Sequence, residues 1–143
     1  MSMQVKAYLK QAYRLNELIQ SDQQELEDLR LLASSVPGID YSKDKVQSSP
    51  SGDAGFTNIV MRIVELEAAI NKDIDRLLAL KLEIRETINA VQDNEERLLL
   101  KYRYLNFMSW DDICSMMCIS VRTAHRIHSS AIANVKIPAK IES

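Results

Sequence analysis

Glycine and proline are scarce, with three of each in 143 residues, and aromatic side chains make up only 6%. A chain with so few turn-formers and 46% apolar content suits a helical core built from Leu, Ile and Ala. No run of 18 apolar residues occurs, and the first residues, MSMQVKAYLKQ, lack the charged-then-apolar layout of a secretory signal. The expectation is a soluble, cytoplasmic protein with no membrane partner. Also missing are GxxxxGK[ST], GxGxxG, HExxH and GxSxG, so phosphate-loop, dinucleotide, zincin and nucleophile-elbow chemistry have no support. The acid pair Asp111-Asp112 is accounted for by a helix N-terminus, where carboxylates are favoured by the macrodipole. Neither an enzyme nor a cofactor is expected.

Cysteine and histidine occur twice each. Cys114 and Cys118, with His125 and His128 downstream, raise the question of zinc, but C-x3-C…H-x2-H is not the usual finger spacing. Cysteines four apart on a helix also have poor geometry for a disulfide, and a reducing compartment disfavours one. Both are expected to be small buried hydrophobes, with no metal.

Charge is unevenly placed. Residues 1–93 carry 11 basic and 15 acidic side chains, whereas 97–140 carry seven basic (Arg97, Lys101, Arg103, Arg122, Arg126, Lys136 and Lys140) and two acidic. A cationic C-terminal end of about +5 in a chain of net charge −2 suggests that this end faces phosphate while the other associates with protein.

Apolar and aromatic residues then set the organisation. Val5, Tyr8, Ala12, Leu15, Ile19, Leu26, Leu29 and Ala33, with Asp22 among them, follow alternating steps of three and four. That spacing predicts one helix from Met3 to Ala33 with a coiled-coil-like seam, widened by Leu9, Leu18 and Leu32. Pro37-Gly38 and SSPSGDAG interrupt the pattern, so 34–55 is expected to be a flexible linker. A second long helix is predicted from Phe56 through Ile59, Ile63, Leu66, Ile70, Asp73, Leu77, Leu80 and Ile84 to Val91, thickened by Ile74, Leu78 and Ile88. The two make an antiparallel hairpin, with Asp22 and Asp73 as polar seam positions, and the wide stripes predict a homodimer. After Asn94, Leu98, Leu99, Tyr102 and Leu105 predict a short helix packed behind Trp110, Ile113 and Ile127. The fold class is all-α: a hairpin over 1–93, then a three-helix, helix-turn-helix domain over 94–143.

Residues 109–135 carry the functional expectation. Ser109 and Ser120 are N-cap candidates, and Asp112 can reach back toward the first. From Ser120, Val121, Ala124, Ile127, His128, Ala131, Ile132 and Val135 form one buried stripe. The opposite face holds Ser120, Arg122, Thr123, Arg126, Ser129 and Ser130, with His125 on its flank, and no carboxylate. Guanidinium groups and hydroxyls on such a face suit the edges of bases and the phosphates of double-stranded DNA. Arg97, Lys101, Arg103 and Lys136 are candidate phosphate contacts, with plain solvated surface as the alternative.

Ser120, Thr123, Ala124, Arg126, Ile127, Ala131 and Ile132, with Arg103-Tyr104 and Ser109-Trp110-Asp111-Asp112-Ile113 upstream, resemble region 4 of bacterial sigma-70 factors over about 45 residues. With its long helical front half, the whole chain resembles phage transcriptional regulators of the RinA and ArpU kind. The resemblance implies sequence-specific DNA binding, with the N-terminal helices serving oligomerisation or contact with RNA polymerase. Where region 4 usually has Gly, near Phe107 and at Cys118, this chain has none; Asn106 is the expected turn residue at the first position. Three readings stay open: a transcription regulator, a small packaging-initiation subunit that oligomerises through its coiled coil, and a helical protein-interaction module.

Overall fold

In a computed structural model, residues 2–35 and 50–139 are described, with side chains for 3–35 and 54–139. Among them are six helices and no strand: α1 (Ser2–Leu9), α2 (Gln11–Ser34), α3 (Pro50–Asn89), α4 (Asn94–Tyr104), α5 (Trp110–Met117) and α6 (Val121–Asn134). The all-α expectation holds. Most of the expected linker, residues 36–49, lies outside the described residues, but 50–55 are helical. Pro50 is the first residue of α3, where an amide N–H would lack an intrahelical acceptor in any case, so proline starts this helix instead of stopping it.

The first helix is not one piece. Its ladder breaks at Lys10, and the Gln11 side-chain amide donates to the Tyr8 carbonyl at 2.9 Å, satisfying an acceptor at the break. The bonds Lys10 N–H to Lys6 O and Arg14 N–H to Lys10 O carry the chain across.

Two compact units form, and they divide the chain differently from a cut at residue 93. One contains Met1–Asn16 and Arg76–Ser143; the other is Glu17–Asp75. In the first, Val5, Tyr8, Leu9 and Ala12 share a core with Ile84, Ile88, Val91, Leu100, Tyr104, Ala131, Ile132 and Val135. α1, the start of α2, the end of α3, α4 and the back of α6 thus bury one another. Tyr8 donates to Glu83 at 2.8 Å and lies 3.1 Å from the Thr87 hydroxyl, while five residues on Tyr13 shares the Phe107 ring with Lys81. Burial pushes the Tyr8 phenol up to about 12, so it remains a neutral donor.

A second cluster in the same unit joins Leu99, Ile113, Ala124 and Ile127, with Trp110, Cys114 and Met117 packed against it. Two details differ from expectation. Leu98 faces solvent, and the buried apolar residues of α4 are Leu99, Leu100 and Tyr104, because α4 contributes to both clusters, Leu99 to the one with α5 and α6 and the other two to the one with α1, α3 and α6. Cys118 is exposed, with only Cys114 half-buried in the cluster.

In the unit Glu17–Asp75, the seam positions Ile19, Leu26 and Ile70 are buried, and Asp22 and Asp73 are half-buried. Exposed ion pairs Arg30–Glu67 and Arg62–Glu25 decorate it and stabilise it little. Several residues expected to widen the stripe, including Leu18, Leu32 and Ile74, stay exposed. No helix of the described residues is long and apolar enough to cross a membrane.

Candidate nucleic-acid interface

The connection between α5 and α6 is three residues, Cys118 to Ser120. Ser109 caps α5 by accepting from the Asp112 amide at 3.1 Å, with Asp111 and Asp112 in its first turn. Its end is a Schellman turn: Cys118 is left-handed at φ 57°, its N–H donates to Ser115 O, and the Ile119 N–H donates to Cys114 O at 3.1 Å. Ser120 caps α6, accepting from the Thr123 amide at 3.1 Å and donating to the Thr123 hydroxyl at 3.0 Å. Among the described residues the other non-glycine with a positive φ is Phe107, at 58°, and not Asn106. Sequence therefore located both turns by their missing glycines and misassigned the residue at one. Phe107 holds its conformation because its ring is engaged by Tyr13 and Lys81.

The back of α6 is buried through Ala124, Ile127, His128, Ala131 and Ile132. His128 lies under Trp110, with ring centroids 5.0 Å apart, and its Nε2 is 2.7 Å from the Tyr104 hydroxyl. Burial foremost, then the charges of Lys6, Arg103, His125 and Lys10, lower its pKa to about 4. Neutral His128 can accept from Tyr104, whose own phenol is pushed up to about 12 by burial.

Of the expected DNA-facing residues, Ser120, Arg122, His125, Arg126 and Ser129 are exposed and Thr123 is half-buried. Arg122 and Arg126 form no ion pair among the described residues, and α6 carries no carboxylate. His125 packs on Trp110 with ring centroids 4.5 Å apart. Ser130 is held elsewhere: it donates to the buried Glu96 carboxylate at 2.5 Å, and Asn134 donates to the same group at 2.8 Å. Glu96 thus fixes the second half of α6 to α4. The sequence reading missed this role, since Ser130 and Asn134 lie 34 and 38 residues away and no local pattern links them to Glu96.

The four candidate phosphate contacts separate as well. Arg97 donates to Val91 O at 2.8 Å and to the Asn94 side chain, closing the α3–α4 turn. Arg103 donates to Met108 O at 2.9 Å and lies 4.8 Å over the Trp110 ring. Both guanidinium groups shape turns. Lys101 and Lys136 make no ion pair among the described residues. Among those residues no three His, Cys, Asp or Glu side chains come together as a metal site, so Cys114, Cys118, His125 and His128 do not converge.

These features define an all-helical protein with two helices on a left-handed turn, presenting a carboxylate-free, arginine-bearing helix face. The chain belongs to a family described as a protein of unknown function (DUF1492), matched over residues 35–136. No curated protein and no solved structure matches it.

Proposed function

We propose that the chain is a sequence-specific, double-stranded-DNA-binding transcription regulator, with α6 entering the major groove. The observation that carries this reading is the face of α6. Arg122 and Arg126 lie one turn apart, exposed and without an ion pair among the described residues, on a helix whose opposite side is anchored by Ala124, Ile127 and His128. A guanidinium held this way has no internal task and matches the bidentate acceptor pattern of guanine. The resemblance to sigma-70 region 4 and to RinA- and ArpU-like phage regulators points the same way. It brings RNA polymerase as a second partner within the proposal. Self-association belongs to it too, because Leu18, Leu31, Val60, Val64 and Ile74 of the unit Glu17–Asp75 are exposed.

The test is selection of duplexes from a random pool, followed by binding of variants to the selected site. Arg126→Ala should cost about 1–3 kcal/mol on that site and relax preference at one base position. Lys136→Ala should weaken all duplexes alike. If Arg122→Ala and Arg126→Ala keep their helicity and bind like the parent, α6 does not read DNA, and the protein-interaction reading takes its place.

A further inference from the structure

The unit Met1–Asn16 with Arg76–Ser143 concentrates positive charge more than a division at residue 93 does. It has 13 basic and eight acidic residues, a balance of +5, against five and 12 in Glu17–Asp75, a balance of −7. Residues 1–16 contribute Lys6, Lys10 and Arg14 and no carboxylate. The three stand at successive four-residue steps, an arrangement in which like charges repel along a helix face. All three are exposed, and none forms an ion pair among the described residues.

Two of them line a cleft of about 380 Å³ together with Tyr13, Arg103, Phe107 and Ser109. No carboxylate is among its lining residues. The cleft is connected to the α6 face through side chains that touch. Arg103, on its wall, lies over Trp110, and Trp110 packs at a tilt against His125, which precedes Arg126 in α6. Ser109, also on the wall, is the cap residue immediately before Trp110. Cationic groups with hydroxyls, no acid and a continuous path to the reading helix fit one class of ligand, the phosphodiester backbone beside the bases being read.

We infer that this cleft seats backbone phosphate of the same duplex, so that Lys10, between α1 and α2, and Arg14 of α2 form part of the DNA-binding surface. The inference rests on the DNA-binding reading of α6. It gives the N-terminal helix a function beyond association, and it explains why a helix in the acid-rich half of the sequence begins with cations alone.

The experiment is a salt titration of binding, on the selected duplex and a scrambled one, with the full chain. Four proteins are compared: the parent, Lys10→Ala/Arg14→Ala, Arg126→Ala, and Arg62→Ala/Lys72→Ala as an equal charge change in the other unit. The Lys10/Arg14 variant should bind both duplexes more weakly by the same factor, on the order of ten-fold, and its log–log salt slope should flatten by about one for each phosphate that is no longer neutralised. The Arg62/Lys72 variant should retain the parent slope. Should the Lys10/Arg14 variant match the parent in affinity and slope while Arg126→Ala still relaxes base preference, the cleft is overturned as a DNA-binding surface and the α6 reading survives. A weakening confined to the selected duplex would also overturn it, since binding to phosphate carries no sequence preference. If the parent binds neither duplex, the reading on which the inference rests has failed, and the inference with it.

Discussion

His128 makes the stability of the unit Met1–Asn16 with Arg76–Ser143 dependent on pH in a way that one substitution can isolate. Its ring is 7% exposed, sits against Trp110 and bonds to Tyr104, and its pKa is lowered from 6.5 to about 4. Because the folded value is depressed, the unfolded chain takes up a proton first as pH falls. Stability from neutral His128 is therefore complete above about pH 6.5 and declines progressively down to about pH 4. At about 1.4 kcal/mol per pH unit, the loss is about 3 kcal/mol, a substantial part of a small domain's total. Lys6, Lys10, Arg103 and His125 face the ring, and their charges reinforce its neutrality. The comparison is urea unfolding of the parent and His128→Gln at pH 7, 6, 5 and 4, followed by fluorescence of Trp110, the single tryptophan. Glutamine still offers Tyr104 a hydrogen-bonding partner and does not titrate, and every other ionisable group is common to the two proteins. The parent should lose about 3 kcal/mol more than the variant between pH 7 and 4. Parallel curves would refute the buried, neutral histidine.

Two further predictions concern the turns and the exposed apolar residues. Cys118→Gly should stabilise the protein by about 1 kcal/mol, since a left-handed non-glycine residue at an exposed position sheds strain and gives up only a weak thiol contact to Ser115 O at 3.8 Å. Phe107→Gly should instead destabilise by about 2 kcal/mol, because the ring between Tyr13 and Lys81 is removed with the strain; equal signs in the two urea midpoints would contradict this account. Sedimentation at tens of micromolar should show a dimer for the parent and a monomer for Val64→Asp, whose side chain is exposed in the single chain. A monomeric parent would remove self-association from the proposal.

Much of the fold was legible because apolar spacing is a direct record of helix faces. The seam positions Ile19, Leu26, Ile70 and Ile84 are buried, and Asp22 and Asp73 occupy half-buried places in the same register. The caps Ser109 and Ser120 were legible for a similar reason, since a hydroxyl before an apolar-periodic run serves the first free amides. Less legible was whatever depends on packing between segments distant in sequence. Leu9 is fully buried, while Leu18 and Leu32, equally apolar and on the same predicted helix, remain exposed. Leu9 differs in lying where α1 packs into the core shared with α3, α4 and α6. The turn at Phe107 was similarly hidden: Asn tolerates a positive φ better than Phe, but Asn106 gains nothing from the turn comparable with the Phe107 ring between Tyr13 and Lys81.

The candidate site was legible in charge and illegible in assignment, and the distinction follows from what a long-range field and a hydrogen bond each require. Net charge attracts phosphate wherever the cations stand, so counting Lys and Arg captured the asymmetry. Binding a phosphate needs a donor with nothing else to satisfy, and sequence does not report which donors are occupied. Arg97 and Arg103 are taken by Val91 O and Met108 O, and Ser130 by Glu96. Removing Arg103 would therefore disturb the Phe107–Trp110 turn as well as any field at the cleft, and weaker binding on its removal would not separate the two effects. Lys10 and Arg14 lack such internal duties among the described residues, which is why they, and not the arginines of α4, can test whether the N-terminal helix touches DNA.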